Sequence, residues 1–170
     1  MILSSRKGLI LFVCRENICR SPMAEGLLRH HLALSGLAKN YQVKSAGTRV
    51  SSPGARPDQR ASKVAEEAGV NLDGIRASRV TKKLLQRSDL VLAMDHSNLE
   101  DLQKACPPDH LHKLALLLSY LPAQEPGDVT DPYYGSTEGF RAVFEQIEAA
   151  VRSLLPQLGH PISGVESRLR

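Results

Sequence analysis

The sequence is poor in the residues that mark several classes of protein. Its three cysteines are an odd number, which argues against a disulfide framework, and no pair has the spacing of a zinc finger. It contains four tyrosines, three phenylalanines and no tryptophan, and its lysines and arginines are scattered along the chain. A nucleic-acid-binding surface usually clusters basic residues or interleaves them with aromatics. We therefore expect no nucleic-acid partner, despite a net charge of +4.

Long apolar runs are missing too. The run at 9–13 is too short for the core of a signal peptide, and the run at 114–118 is too short to cross a bilayer. We therefore expect a cytoplasmic protein without a membrane partner. The six histidines show no recognisable ligand pattern with cysteine or glutamate, so we expect neither a metal site nor a cofactor.

Strand-like and helix-like segments alternate along the chain. Over 170 residues, of which 42% are apolar, this alternation predicts one α/β domain with a parallel sheet. Strands are predicted at 9–13, 41–46, 89–94 and within 111–118, and helices from Ser21-Pro22 to Gly36, through 64–68, at 96–105 and at 140–155. We expect the domain to span 1–158 and residues 159–170 to form a loose tail.

The segment between the first strand and the first helix carries the chemistry. It reads VCRENICRSP over residues 13–22, and five residues separate Cys14 from Arg20. Successive backbone N–H groups in such a loop point inward and bind an anion at a helix N-terminus. This spacing lets the loop curl around one phosphate, with Cys14 below the phosphorus and Arg20 holding two oxygens as a fork.

Cys14 is the candidate nucleophile of this loop. A cysteine near a helix N-terminus and an arginine is often a thiolate at neutral pH, which is the nucleophilic form. Ser21 is positioned to donate a hydrogen bond to the sulfur, and Asn17 can adopt left-handed backbone angles and tie the loop together. The same spacing also occurs by chance, and cysteine is often just a small buried residue. The strand before it and the Ser-Pro and amphipathic helix after it favour the catalytic interpretation.

Four motifs, in order, resemble those of the low molecular weight protein tyrosine phosphatases. The active-site loop of that family reads Cys-x-Gly-Asn-x-Cys-Arg-Ser-Pro, followed by a small residue and glutamate. The matching residues here are Cys14, Asn17, Cys19, Arg20, Ser21, Pro22, Ala24 and Glu25. Residues 45–48, 93–99 and 131–135 resemble the end of the family's second strand, its Met-Asp turn and its general-acid loop. The resemblance extends over about 9–155.

The resemblance implies a fold and an activity. The fold would be a three-layer α/β sandwich of the flavodoxin-like, phosphotyrosine phosphatase I-like type, with a four-stranded parallel sheet and helices on both faces. The activity would be hydrolysis of phosphotyrosine and aryl phosphates through a cysteinyl-phosphate, without a metal. Asp131 would protonate the leaving oxygen and then activate water. The substrate would be a phosphotyrosine-containing protein, with a bacterial tyrosine kinase as one candidate.

The resemblance also implies roles around the nucleophile. The residues that bind phosphate or support the loop would be Arg15, Glu16, Asn17, Ile18, Cys19, Ser21 and Ser45, and those at the rim Ser51, Tyr133 and Tyr134. Cys19 would form a reversible disulfide with Cys14 that protects it from overoxidation. A buried cysteine at a helix start is the alternative for Cys19, and packing within the turn is the alternative for the tyrosines. Asp95 would orient polar groups near the pocket, and a purely structural role is the alternative.

Three positions depart from the family pattern. Glu16 stands where the family usually has glycine, and a carboxylate beside a dianion is unfavourable unless it points to solvent or pairs with Arg15. We therefore expect Glu16→Gly to raise activity on aryl phosphates. Ser51 replaces a frequent rim aromatic and Ile75 a frequent histidine. Stacking on the substrate would therefore be weaker, and one contact that supports the loop would be missing.

Three other functions fit parts of the pattern. Arsenate reductases share the loop but relay a disulfide through further cysteines, and Cys106 is the only distant one. Phosphoarginine phosphatases of the family favour threonine at the position of Ile18. A non-catalytic phosphate-binding module would need neither the thiol of Cys14 nor the carboxylate of Asp131, and only Glu16 speaks for it.

Overall fold

The computed structural model describes residues 6–122 and 127–159. Over these residues the chain forms four strands and five α-helices. The strands are β1 (Gly8–Cys14), β2 (Tyr41–Gly47), β3 (Leu90–Ala93) and β4 (Leu114–Leu116), and the helices are α1 (Arg20–Leu34), α2 (Gln59–Glu67), α3 (Lys82–Arg87), α4 (His96–Ala105) and α5 (Thr137–Leu154). Short 3-10 helices span Pro108–Lys113, Leu117–Tyr120 and Leu155–Gly159.

The strands form one parallel sheet in the order β2-β1-β3-β4. Residues 9–14 of β1 are all buried, as expected for an apolar strand that is covered on both faces. The chain passes from β1 to β2 on one side and later to β3 on the other. The carboxyl end of β1 is therefore a topological switch point, where open α/β sheets bind their ligands.

Helices cover both faces of the sheet. Ile10 and Phe12 pack on one face in a core with buried residues of α1, α2 and α5. Leu11 and Val13, which alternate with them along β1, pack on the other face against α3 and α4. The three-layer α/β fold predicted from the sequence is confirmed.

The last helix shows how local sequence defines an element. Ser136 caps α5 by accepting a hydrogen bond from the N–H of Gly139 at 3.3 Å. Phe140, Phe144 and Ile147, spaced at three and four residues, are buried against the sheet side of the core. Helix α5 thus packs with α1 and α2 in one layer, on the face of the sheet that holds Ile10 and Phe12.

Most predicted elements are found with small shifts at their ends. Helix α4 has the predicted bounds. Helix α1 begins at Arg20, one residue before the predicted start at Ser21, and Cys19 is its N-cap residue. Strand β4 has only three residues, because 3-10 helices take up the rest of the predicted segment. Helix α3, which follows the cap residue Thr81, was not predicted.

Two further expectations concern membrane-spanning segments and the C-terminal tail. Within the described residues, no helix combines the length and the apolar character needed to cross a membrane. The predicted loose tail, 159–170, lies outside the described residues except for Gly159. The domain boundary at residue 158 therefore stays a prediction.

Candidate active site

Residues 14–20, which we call the cysteine loop, connect β1 to α1. Asn17 has a φ of 58° and is the only non-glycine residue in the described ranges with a positive φ. Asparagine tolerates this left-handed conformation better than most residues. The segment after β2 holds the loop, since the N–H of Thr48 donates to the carbonyl of Cys14 at 3.0 Å and that of Arg49 to Arg15 at 2.8 Å. The fold itself thus fixes the shape of the loop.

The sulfur of Cys14 lies among hydrogen-bond donors. Cys14 is only 3% exposed. Its Sγ lies 3.0 Å from the Oγ of Ser21 and accepts a hydrogen bond from the N–H of Asn17 at 3.3 Å. Because Ser21 belongs to the first turn of α1, the sulfur also lies near the positive end of that helix. These groups stabilise negative charge on the sulfur.

Asn17 holds this arrangement together through its side chain. Its Nδ2 donates to the Oγ of Ser21 at 2.8 Å and to the Oγ of Ser45 at 2.9 Å, and its Oδ1 accepts from the N–H of Ser78 at 2.9 Å. Since the Oγ of Ser21 already accepts from Asn17, its own proton is available for the sulfur of Cys14. Ser45 in turn donates to the buried carboxylate of Glu25.

Arg20 is a buried cation at the start of α1, only 2% exposed. Its Nη1 donates to the Oδ2 of Asp95 at 2.6 Å and to the carbonyl of Val129 at 2.8 Å. Its Nη2 lies 3.3 Å from the Oδ2 of Asp131. Asp95 was predicted only to orient polar groups near the pocket, and the structure gives it a definite partner in the guanidinium of Arg20.

Asp131 lies in the segment before α5 and its side chain is 46% exposed. Its Oδ1 accepts from the N–H of Tyr133 at 3.1 Å, an Asx turn that fixes the carboxylate. Asp131 lines the same cavity, of about 460 Å³, as Cys14 and Arg20. The cavity therefore combines a thiol, a guanidinium and a carboxyl group. In the described ranges, no group of three or more His, Cys, Asp and Glu residues could hold a metal ion.

Comparison with known proteins identifies the family. The family model for low molecular weight phosphotyrosine protein phosphatase matches residues 9–163. The chain is 38% identical over 158 residues to the low molecular weight protein-tyrosine-phosphatase of Streptomyces coelicolor, and the match covers 91% of this chain and 96% of the relative. The chain belongs to the low molecular weight phosphotyrosine protein phosphatase family.

Solved structures agree with this assignment. A protein tyrosine phosphatase from Entamoeba histolytica, with Hepes in the active site, has a TM-score of 0.85 and 32% identity, covering 90% of this chain and 97% of that chain. A YwlE arginine phosphatase mutant with a phosphorylated active-site serine has a TM-score of 0.81 and 32% identity, covering 90% and 97%. The prediction of a low molecular weight tyrosine phosphatase from the sequence is confirmed.

Glu16 replaces the family's usual glycine without strain in the backbone, since its φ is not positive. Its carboxylate accepts two hydrogen bonds from Ser51, one from the N–H at 2.8 Å and one from the Oγ at 2.9 Å. The sequence left two favourable arrangements for this carboxylate, one that points to solvent and one that pairs with Arg15. Glu16 instead connects the cysteine loop to the segment that follows β2, and both Glu16 and Ser51 line the cavity.

The other cysteines differ from Cys14 in their surroundings. All three cysteines are free thiols. Burial raises the pKa of the Cys19 thiol, and the nearby Asp58 carboxylate adds to this effect. Cys19 lines the same cavity as Cys14, and a disulfide between the two stays a prediction. Burial also raises the pKa of Cys106, which lies in the core on the α3 and α4 face of the sheet.

The two rim tyrosines have different environments. Tyr134 is 98% exposed and Tyr133 is 44% exposed, and both line the cavity. Their rings meet edge to face, with centroids 5.0 Å apart. The guanidinium carbon of Arg60 also lies 5.8 Å from the centroid of the Tyr133 ring. Tyr133 is thus packed within the turn, whereas the ring of Tyr134 is open to a substrate.

Arg60 is a residue of this site that the sequence analysis missed. Its guanidinium donates to the carboxylate of Asp58 and to the carbonyls of Tyr133 and Gly135, at 2.8–3.0 Å. It also lies over the ring of Phe140, 4.4 Å from the centroid. Arg60 therefore attaches the segment that carries Asp131 to the start of α2. An Asp-x-Arg sequence at a helix start is the only signal that could have pointed to it.

Proposed function

We propose that this chain hydrolyses phosphotyrosine in proteins through a covalent cysteinyl-phosphate, with Cys14 as nucleophile and Asp131 as general acid. The observation that carries this proposal is the shared cavity. It holds a sulfur surrounded by donors, a buried arginine and a half-exposed carboxyl group. Few other uses require a thiol, a cation and an acid together.

In the first step the thiolate of Cys14 attacks phosphorus. The S–P bond forms as the P–O bond to the tyrosine breaks, and the carboxylic acid of Asp131 gives its proton to the departing phenolate oxygen. Arg20 and the backbone N–H groups of the cysteine loop stabilise the charge that develops on the equatorial oxygens.

The hydrogen bonds of Arg20 leave a fork for the phosphate. Asp95 and Val129 both use Nη1, and within the described residues Nε has no hydrogen-bond partner. Nε and Nη2 are therefore the two donors that would hold a pair of phosphate oxygens. The contact between Nη2 and Asp131, 3.3 Å long, would be released as phosphate binds.

In the second step water hydrolyses the cysteinyl-phosphate. The carboxylate of Asp131 takes a proton from the attacking water, a new P–O bond forms, and the S–P bond breaks to return the thiolate. Ser21 then donates its hydroxyl proton in a hydrogen bond to the sulfur, 3.0 Å away. Phosphate leaves and the enzyme is ready for another turnover.

Hydrolysis of p-nitrophenyl phosphate by the reduced protein tests this proposal. We expect turnover that is abolished in Cys14→Ser and unchanged in Cys106→Ser, the matched control in which a buried cysteine away from the cavity is replaced. In Asp131→Asn we expect slower formation of the phosphoenzyme. Turnover that survives in Cys14→Ser would contradict the proposed nucleophile. Binding of phosphate without any turnover in the wild type would favour the non-catalytic module.

We further propose a tyrosine kinase of a bacterium as the protein substrate, on the strength of the family resemblance. Its autophosphorylated form, treated with wild type or with Cys14→Ser, gives the test. Loss of phosphotyrosine only with the wild-type enzyme supports the proposal, and retention of phosphotyrosine contradicts it.

Phosphoarginine is the second candidate substrate, because YwlE arginine phosphatase is among the structures that this chain resembles. The apolar side chain of Ile18 lines the cavity here, where such enzymes favour threonine. We therefore expect phosphotyrosine peptides to be hydrolysed faster than phosphoarginine peptides. Arsenate reduction is disfavoured because Cys106 lies outside the cavity lining.

A further inference from the structure

We propose that Arg15 and Arg56 make this enzyme select phosphotyrosines that have acidic residues beside them. This inference rests on the proposed function and adds the class of substrate. It starts from two charged side chains at the mouth of the cavity to which the mechanism proposed above gives no role. Both arginines line the cavity and both are exposed.

These two arginines differ from the other arginines near the site in having no partner. Within residues 6–122 and 127–159, neither the Arg15 nor the Arg56 guanidinium makes a hydrogen bond or an ion pair. By contrast, Arg20 is bonded to Asp95, Arg49 to Asp101 and Arg60 to Asp58. The cavity mouth therefore carries two positively charged side chains that have no ionic partner among the described residues.

The one carboxylate at the mouth besides Asp131 is already engaged. Both oxygens of Glu16 accept hydrogen bonds from Ser51, at 2.8 and 2.9 Å. These bonds hold Glu16 toward Ser51, and its carboxylate pairs with neither Arg15 nor Arg56. An acidic side chain of a substrate would therefore bind either guanidinium without displacing a partner among the described residues.

The shape of the mouth leaves room for such a side chain. Apart from Arg56, residues 51–56 contribute only Ser51, Ser52 and Ala55 to the lining. Small side chains there let the residues beside the phosphotyrosine approach the guanidinium groups. A guanidinium binds a carboxylate through two parallel hydrogen bonds, and a lysine on the substrate would be repelled.

The test uses three phosphotyrosine peptides of equal length whose flanking residues are glutamate, glutamine or lysine. We expect kcat/KM to fall in that order. Each exposed ion pair should contribute about 1.4- to 5-fold, and the preference for glutamate should shrink at about 0.5 M salt, where the screening length is roughly 4 Å. Arg15→Gln and Arg56→Gln should each reduce the glutamate-to-glutamine ratio, and the double variant should bring it close to one.

Both peptides are measured on the same enzyme sample. The ratio of their kcat/KM values therefore does not change if a variant is slower in general or contains less folded protein. Arg152→Gln is the matched control, an exposed arginine of α5 that pairs with Glu148 and does not line the cavity, and it should keep the wild-type ratio. Equal kcat/KM for the three peptides, or a preference for lysine, would overturn the inference. Turnover of p-nitrophenyl phosphate in that case would leave the proposed function intact, whereas its absence would count against the proposed function first.

Discussion

Asp95 is bonded to two partners that can be separated by mutation. Its Oδ2 accepts from Nη1 of Arg20 at 2.6 Å, and its Oδ1 caps α4 by accepting from the N–H of Asn98 at 2.7 Å. Asparagine caps a helix about as well as aspartate, whereas alanine does not. Asp95→Asn therefore removes the charge beside Arg20 and keeps the cap, and Asp95→Ala removes both.

The structure supplies an order of magnitude for the loss. Arg20 is 2% exposed, so water cannot readily replace the missing carboxylate. A hydrogen bond to a charged group contributes about 1.5–3 kcal/mol, and about 1.4 kcal/mol corresponds to a factor of ten in rate. If this contact keeps the fork of Arg20 in place, kcat/KM of Asp95→Asn should fall by roughly 10- to 150-fold. Asp95→Ala should lose about 1 kcal/mol more in stability through the missing cap.

The assay is hydrolysis of p-nitrophenyl phosphate, with inhibition by inorganic phosphate and urea unfolding measured on the same variants. Wild-type kcat/KM in Asp95→Asn, together with a loss only of stability in Asp95→Ala, would show that Asp95 is a helix cap and nothing more. Tighter phosphate inhibition without a loss of rate would also refute the reasoning, because Asp95 would then attenuate the charge of Arg20 rather than orient it.

Four further predictions concern residues of the site and of the segments that hold it. Iodoacetate should label Cys14 before the two other cysteines, whose pKa values burial raises, and peptide mapping by mass spectrometry that finds another order would contradict this. Glu16→Gln, which keeps an acceptor for Ser51 but removes a negative charge, should raise kcat/KM on aryl phosphates; an unchanged or lower value would count against the electrostatic argument. Arg60→Ala should lower kcat by about tenfold with a smaller change in KM, because the acid-bearing segment loses its anchor. Hydrogen bonds from Arg60 lower the pKa of Asp58 below its ordinary 3.8. The free energy of unfolding that this pair contributes is therefore present above pH 3.8 and is lost as the pH falls through the lowered pKa. In Asp58→Asn, acid unfolding should not show this pH-dependent loss of stability.

The sequence predicted best those parts of the molecule that local patterns determine. A buried apolar run made β1 recognisable, and an apolar stripe at helical spacing did the same for α5. The cysteine loop was recognisable because its residues follow one another in the chain. Helix α3 was missed because it has only six residues and buries just Leu85, so it shows no periodic pattern.

Contacts between distant segments could not be predicted in this way. Glu16 and Ser51 are thirty-five residues apart, and only the pairing of β1 with β2 brings their loops together. Arg60 and Gly135 are seventy-five residues apart. Such partners depend on the packing of the layers. The sequence therefore suggested only solvent or the neighbouring Arg15 as surroundings for the Glu16 carboxylate, and it gave no role to Arg60.

The replacement of a frequent family histidine by Ile75 illustrates how packing compensates. Ile75 is 4% exposed and belongs to the apolar core, so it offers no hydrogen bond to the cysteine loop. Every polar atom of the Asn17 side chain nevertheless has a hydrogen-bond partner. Its two N–H groups donate to Ser21 and Ser45, and its oxygen accepts from the backbone N–H of Ser78, three residues after Ile75. A backbone group thus supplies a contact that does not depend on which side chain stands at position 75. Because every polar atom of the Asn17 amide is satisfied, the left-handed turn of the loop, and with it the position of the Cys14 sulfur, is fixed before any substrate arrives.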